Sequence, residues 1–243
     1  MNYLVLLEEN LINKAERIYL VDDPSVVKHF LKIVKLDTGD RLKVAVIDIG
    51  YGTARIQKIS DKEMEVLLEK IHLPYSRRLH LAIAGVRPLM AKRVLEHAST
   101  MGVKGFHFFQ SDLGEKSYFN SNIYQKNHYE RYLLKGISQT GTYTTMPEVY
   151  QYESLESLPF EKFSNMHFLD SSAQHYFDND VEYEDDLILI GPERGWSDRE
   201  ISFLEQKGCL KFKISESILR VEFAVNACLS QREYLRNIKE LNF

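Results

Sequence analysis

A short turn between two regular elements carries the most chemically suggestive residues of this sequence. Leu187 to Ile190 are four consecutive apolar residues, which is typical of a strand covered on both faces. The turn Gly191-Pro-Glu-Arg-Gly195 follows at once, and its glycines permit the backbone conformations and close approach that a bound molecule requires. Ser197 and Glu200 then have the spacing of a capping box, which predicts a helix start. Since ligands of open α/β sheets bind beyond the carboxyl ends of strands, the turn predicts a cofactor site.

A second candidate stretch lies near the C-terminus, where a short strand end at Ile214 leads into a helix. This helix start carries Arg220 and Glu222 among apolar neighbours. A guanidinium is a planar fork of donors that suits a phosphate or a developing negative charge. Two alternatives stay open: Arg220 forms a structural ion pair with Glu222 or Glu193, and the Gly191 turn is an ordinary strand-to-helix connection.

The N-terminal part of the chain is predicted to be a small β domain. Strand-like runs occur at Tyr3 to Leu7, Arg41 to Ile47 and Met64 to Leu68, and one helix-like run at Pro24 to Val34. Turns are predicted at Gly39-Asp40 and at Gly50-Tyr-Gly52, as in a compact barrel. The stretch Pro74-Tyr-Ser-Arg-Arg78 separates this part from the rest of the chain, which predicts a domain boundary between residues 73 and 74.

Residues 74–243 alternate between strand and helix patterns, which predicts an α/β domain with a mainly parallel sheet. The predicted strands are 79–84, 105–109, 166–170, 186–190 and 210–214, and the predicted helices are 88–101 and 123–137. A Gly-x-Gly-x-x-Gly fingerprint does not occur in the sequence, which disfavours a nicotinamide or flavin enzyme.

Two motifs carry a family resemblance: the turn Gly191-Pro-Glu-Arg-Gly195 and, about 25 residues later, the helix start Ile218-Leu-Arg-Val-Glu222. In this order and at this spacing they resemble the RsmE family of the SPOUT methyltransferases. The resemblance covers nearly the whole chain and is densest after Met166. It implies an α/β fold with an N-terminal PUA-like, RNA-binding small β-barrel domain (1–73) and a C-terminal SPOUT methyltransferase domain with a deep trefoil knot (74–243). It also implies an S-adenosylmethionine-dependent enzyme that forms 3-methyluridine in 16S ribosomal RNA of the small subunit.

The resemblance also assigns candidate site residues, with no metal. Arg220 and Glu193 would be catalytic. Arg220 would neutralise the substrate phosphate or stabilise negative charge on the uracil oxygens. Glu193 would help to remove the uracil N3 proton, and its competing role is to cap the backbone of its own turn. RNA contacts would come from Lys32, Lys35 and Arg87, although a solvated helix face explains the two lysines equally well. The residues expected to line the cofactor site are Leu169, Asp170, Ile190, Gly191, Pro192, Gly195, Ile214, Ser217, Ile218 and Leu219.

Three positions depart from the pattern of this family. Thr100 stands where a carboxylate is usual, Asp112 lies where an arginine is usual, and Thr142 replaces another arginine. These departures leave two alternatives open: a SPOUT methyltransferase acting on a different RNA, or a noncatalytic RNA-binding or assembly protein that retains the fold. Two roles are open for an aromatic-rich band: stacking on flipped bases, or core and dimer interface, which we favour. The band comprises Tyr118, Phe119, Tyr124, Tyr129, Tyr132 and Tyr143.

The composition is that of an ordinary soluble protein, with 44% hydrophobic and 27% charged residues. The first apolar run is too short for a signal or membrane segment, so we expect a cytoplasmic location. The net charge of −4 argues against RNA binding, but much of the deficit lies in an acidic run from Asp178 to Asp186, interpreted as a solvated loop. Cys209 and Cys228 are interpreted as buried apolar residues. The family implies a homodimer.

Overall fold

The computed structural model of the chain describes residues 3–176 and 185–241, and the chain divides into two compact units. Unit 1 comprises Met1–Ser76 and Leu134–Met146, and unit 2 comprises Arg77–Leu133 and Pro147–Phe243. The domain boundary between residues 73 and 74 stays a prediction. Most of the acidic run lies outside the described residues. Within the described ranges, no helix is both long and apolar enough to cross a membrane.

Unit 1 contains a curled mixed sheet of six strands in the order β1-β4-β5-β6-β3-β2. The strands are β1 (Leu4–Leu6), β2 (Leu11–Asn13), β3 (Ile18–Val21), β4 (Arg41–Val46), β5 (Gly50–Ile59) and β6 (Met64–His72). Helix α1 (Pro24–Lys28) runs directly into a π-helical segment, His29–Val34, so the predicted helix is present but changes its winding. Alternate residues of each strand enter one core, where Val27 and Phe30 cover the sheet.

The predicted turn at Gly50-Tyr-Gly52 is wrong, because these residues begin β5. The chain reverses just before them, at Asp48, where φ is 59°. Gly52 is a glycine for a different reason: a Cβ there would lie 1.8 Å from the carbonyl oxygen of Lys70 on the neighbouring strand. Glycine inside a strand here marks the close approach of another backbone.

Unit 2 is an α/β domain, as predicted. Its strands are β7 (Leu79–Ala84), β8 (Gly105–Phe109), β9 (Glu148–Tyr152), β10 (Asn165–Leu169), β11 (Asp186–Ile190) and β12 (Leu210–Phe212), and its helices are α2 (Pro88–Thr100), α3 (Lys116–Phe119), α4 (Lys126–Thr140), α5 (Asp198–Gln206) and α6 (Val221–Leu241). The strand order is β12-β10-β11-β7-β8-β9, and every neighbouring pair is parallel. From residue 134 onward α4 belongs to unit 1. The trefoil knot stays a prediction.

Two buried histidines meet between the central strands of unit 2. Nδ1 of His80 lies 3.0 Å from Nε2 of His107, and the other ring nitrogen of His107 lies 3.2 Å from the Tyr152 hydroxyl. Gly105 leaves room for the His80 ring, since a Cβ there would lie 2.4 Å from its Nδ1. Burial lowers the pKa of His107 to about 3, with His80 adding to the effect. Burial lowers the pKa of His80 as well, so both rings are neutral at physiological pH.

Candidate functional site

One pocket of unit 2 opens at the carboxyl ends of the adjacent strands β10, β11 and β12. All ten residues predicted to line a cofactor site line this pocket. Their contact with a cofactor stays a prediction. Seven further residues line the pocket and were not predicted as cofactor contacts: Ser171, Glu193, Trp196, Lys213, Ser215, Val221 and Ala224. Of these, Glu193 was assigned a catalytic role, while Val221 and Ala224 are spaced by three, which places them on one face of a helix.

Gly191 and Trp196 close the floor of this pocket. The indole packs so tightly on Gly191 that a Cβ there would lie 2.9 Å from its Cε2 atom. The indole N–H donates to the carbonyl oxygen of Leu169 at 2.8 Å. The ring thus joins the end of β10 to the turn after β11, and Gly191 is required because no side chain fits between them.

Gly195 ends the turn in a left-handed conformation, with φ of 77°. Its N–H donates to the Pro192 carbonyl at 2.9 Å, and a Cβ at this position would meet nothing within 4 Å. Glycine is favoured here by the backbone angle rather than by crowding.

The predicted capping box starts α5 as expected. Ser197 accepts from the Glu200 N–H at 3.1 Å, and the Glu200 carboxylate accepts from the Ser197 N–H at 2.9 Å. The second Glu200 oxygen accepts from the backbone N–H of Asp112 at 3.1 Å. Glu200 is fully buried, so this one carboxylate ties the loop after β8 to the helix that follows the candidate site.

Asp112, which departs from the family pattern, is also part of this connection. Its carboxylate accepts from the Ser197 hydroxyl at 2.6 Å and from Arg199 at 2.6 and 2.9 Å. Hydrogen bonds from Arg199, and next from Ser197, lower the pKa of Asp112. Arg199 also pairs with Glu156. An acidic residue here thus holds the start of α5.

The other two departures have local roles. The Thr100 hydroxyl donates to the Glu96 carbonyl within α2 at 2.9 Å. The hydroxyls of Thr142 and Thr140 lie 3.0 Å apart in unit 1.

The loop before α6 forms the opposite wall of the pocket. The Gln231 side chain donates to the Ile214 carbonyl at 2.7 Å, and the Ser217 N–H donates to the Ser215 hydroxyl at 3.0 Å. The Arg220 carbonyl then accepts the first N–H groups of α6, from Phe223 and Ala224. These bonds hold the loop in place, while Ile218 stays 86% exposed at the rim.

Arg220 forms neither of the two ion pairs considered as alternatives. Its side chain is exposed and, among the described residues, has no ion pair. It does not line the pocket, although Leu219 and Val221 on either side do. Glu222 is buried and pairs with Arg93 at 3.6 Å. The guanidinium of Arg220 is thus available to a ligand.

A second pocket adjoins the first and shares Pro192 and Glu193 with it. Its other lining residues are Gly85, Val86, Arg87, Leu113, Gly114, Glu115, Tyr118 and Arg194. Arg87 lies 3.7 Å from the Glu193 carboxylate and 5.9 Å from the centre of the Tyr118 ring. The structure therefore brings Glu193 and Arg87 together, although they are more than 100 residues apart in sequence.

The two lysines predicted to contact RNA lie in unit 1. Lys32 pairs with Asp61 at 2.9 Å, and Lys35 is exposed with φ of 63° just after the π-helical segment. Of the aromatic band, Tyr124 is buried and exchanges hydrogen bonds with the Val86 backbone at 3.1 and 3.2 Å. Cys209 and Cys228 are buried and free.

Comparison with known proteins is consistent with this arrangement. A family model described as "RNA methyltransferase domain" matches residues 73–232. The ribosomal RNA small subunit methyltransferase E 1 of Borreliella burgdorferi is 29% identical over 209 residues, which are 82% of this chain and 86% of that protein. The ribosomal RNA small subunit methyltransferase E of Treponema pallidum is 27% identical and covers 98% of this chain and 91% of its own length.

Solved structures share the fold at lower sequence identity. A ribosomal RNA small subunit methyltransferase E from Neisseria gonorrhoeae, bound to S-adenosyl methionine, has a TM-score of 0.75 at 16% identity over 97% of this chain and 98% of that chain. A probable rRNA-methyltransferase from Porphyromonas gingivalis has a TM-score of 0.74 at 19% identity over 97% and 99%.

Proposed function

This chain belongs to the RNA methyltransferase domain family, and we propose that it methylates N3 of a uridine in 16S ribosomal RNA of the small subunit with S-adenosylmethionine as donor. The observation that carries the proposal is the pocket at the ends of β10, β11 and β12, where the Gly191 turn and the loop before α6 meet. The curated relatives from Borreliella and Treponema, named as small subunit methyltransferases, support the choice of RNA.

The lining of this pocket fits S-adenosylmethionine. Ile190, Leu219 and Val221 supply apolar surface for a flat purine, and the turn and loop supply peptide groups for its edge. Asp170 and the nearby serines, Ser171 and Ser215, supply polar atoms for the ribose and the amino acid part. The donor contributes an electrophilic methyl group, so the protein mainly has to orient it and prepare the nucleophile.

The second pocket is where we place the target uracil. In this proposal the Glu193 carboxylate accepts the N3 proton while N3 takes up the methyl group, which is supported by the position of Glu193 in the lining of both pockets. Arg87 pairs with Glu193 at 3.7 Å and thereby orients the carboxylate at the entrance of the second pocket. Tyr118 offers a ring against which the base stacks.

Arg220 stabilises the negative charge that develops on the uracil oxygens. Its guanidinium is exposed, lacks an ion pair within the described chain, and is flanked by two residues of the donor pocket. Lys32 and Lys35 of unit 1 contact RNA phosphates in this proposal. The ion pair of Lys32 with Asp61 is on the surface and therefore weak enough to be exchanged for a phosphate.

The active form is a homodimer in the cytoplasm. Leu89 of α2 and Phe223 of α6 are 55% and 56% exposed, although these helices pack on each other within the unit. Phe223 lies in sequence between the pocket residues Val221 and Ala224. Exposed apolar side chains on packed neighbouring helices are typical of a protein interface.

The decisive experiment is transfer of labelled methyl from S-adenosylmethionine to small ribosomal subunits purified from cells that lack this protein. The modified nucleoside is identified by mass spectrometry, and subunits from cells that contain the protein serve as the pre-methylated control. Incorporation as 3-methyluridine is expected. Donor binding without incorporation would favour a different RNA, and absence of both would favour a noncatalytic RNA-binding protein.

A further inference from the structure

We propose that a ladder of four aromatic rings on unit 1 binds unpaired bases of a single-stranded RNA segment. The aromatic ladder consists of Tyr143, Tyr75, Tyr51 and His72. None of these four residues lines either pocket of unit 2. The choice of RNA as its ligand rests on the proposed function, but the ladder itself is a feature of side-chain geometry and charge.

The four rings form one continuous series. The ring centres of Tyr143 and Tyr75 are 6.3 Å apart, those of Tyr75 and Tyr51 are 6.2 Å apart, and those of Tyr51 and His72 are 5.4 Å apart. The planes of Tyr75 and Tyr51 differ by only 19°, and those of Tyr51 and His72 by 30°. Tyr51 is therefore nearly parallel to both of its neighbours in the series.

Strand geometry places these rings outside the core of unit 1. Along the start of β5, Gly50, Gly52 and Ala54 are buried while Tyr51 and Thr53 alternate with them on the outer face. Tyr51 pairs directly with His72 of β6, so the two rings share that face. Tyr75 is 61% exposed, and a cluster of rings left outside a core marks a binding surface.

The charge beside the ladder suits a nucleic acid. Two residues along β5 from Tyr51, Thr53 pairs with Lys43 of β4 on one side and with Lys70 of β6 on the other. These three residues form a row across the sheet, which we call the lysine row. Neither lysine has an ion pair with any described residue, and Lys43 lies 5.5 Å from the centre of the Tyr3 ring. One row further, Arg41 and Arg55 share a single partner, Glu69. This face is positive although the whole chain carries −4.

Aromatic rings beside lysines select for single strands. Bases of a duplex are stacked on each other and present no free faces, whereas unpaired bases stack on aromatic side chains. The lysines meet the backbone phosphates. A strand lying along β5 and β6 would thus place its bases on the ladder and its phosphates on the lysine row.

The test measures binding of a fluorescein-labelled RNA single strand of about ten nucleotides, a length within the usual site size for such surfaces, by anisotropy without a methyl donor. The intact chain is compared with Tyr51→Ala, Tyr75→Ala and the double variant. Tyr75→Phe keeps the ring, and Tyr150→Ala removes a tyrosine that is 42% exposed on β9. A duplex of the same length serves as the competing ligand.

We expect each alanine variant of the ladder to raise Kd about fivefold or more, with Tyr75→Phe and Tyr150→Ala close to the unmodified chain. Lys43→Ala should reduce the dependence of log Kd on log salt concentration, whereas Tyr75→Ala should leave it unchanged. The inference is overturned if the double variant binds as the unmodified chain does, or if the unmodified chain prefers the duplex or binds neither RNA. It is also overturned if the alanine variants change only self-association. Because no methyl transfer is measured, failure of the proposed reaction would leave this result standing.

Discussion

At the scale of single residues, Arg220 gives the most direct test of the proposed reaction. Arg220→Ala should lower the rate of methyl transfer by about 100-fold or more, the usual cost of losing a donor to developing negative charge. Its side chain is exposed and has no ion pair in the described chain, so donor affinity and Tm should not change. The rate is measured with labelled methyl donor, and affinity by calorimetry.

Arg131→Ala is the control for this variant, because Arg131 is an exposed arginine of α4 that lines neither pocket. It should keep full activity. If Arg220→Ala also kept full activity, Arg220 would have no part in the reaction.

Gly195 allows a test of where the donor binds. A β-branched residue is strongly disfavoured at φ of 77°, so Gly195→Val should cost about 1–2 kcal/mol of stability and should abolish donor binding by displacing the turn. Gly208 is a matched control, since its φ is 78° and a Cβ there also meets nothing within 4 Å. Gly208→Val should lose similar stability and keep donor affinity. Equal donor affinity in the two variants would place the pocket elsewhere.

The site was predictable from sequence where its residues are close together in the chain. The Gly191 turn and the loop before α6 are short motifs, and their residues line one pocket. The pairing of Arg87 with Glu193 was not predictable, and neither was the role of Asp112 at the start of α5. Both depend on residues far apart in sequence that only the sheet order brings together.

At the scale of elements, the histidine pair between β7 and β8 should make stability depend on pH. The pKa of His107 falls from an ordinary value of 6.5 to about 3 on folding. The contribution of His107 to the free energy of unfolding is therefore fully present above about pH 6.5. It is lost as pH falls towards 3, by about 1.4 kcal/mol per pH unit. The measurement is the free energy of unfolding in urea between pH 7 and pH 4.

Two variants separate this effect from general acid denaturation. His107→Phe should flatten the dependence on pH, whereas His175→Gln, which alters an exposed histidine, should keep it. An identical pH dependence in the unmodified chain and His107→Phe would contradict the assignment.

Elements with a strong periodic or apolar pattern were predicted closely, including β7, β8 and β11. The helix predicted from residue 123 begins instead at Lys126, after a 3-10 turn over Asn122–Tyr124. The strand β9 was missed, because Glu148 and Gln151 interrupt any apolar run and its place is set by pairing with β8. Strands at a sheet edge are half exposed, so their sequences carry a weaker signal.

At the scale of the whole molecule, the proposed homodimer has a direct test. Sedimentation velocity at micromolar concentration should give twice the chain mass of 28.4 kDa. Phe223→Asp should shift the chain to a monomer, because it buries a charge in an apolar interface. Ile12→Asp changes an equally exposed apolar residue, 55% against 56%, on β2 of unit 1 and should leave the dimer intact. A monomeric unmodified chain would argue against the interface.

Unit 1 is built from two separate segments of the chain, which affects how it folds during translation. The first strand is tied to a late part of the chain, since the Tyr3 N–H donates to the carbonyl of Ser138 at 2.8 Å, and residues 134–146 complete the unit. During translation the N-terminal strands emerge long before that segment does. Unit 1 therefore cannot be completed until the ribosome has translated residues 77–133 of unit 2 and then residues 134–146.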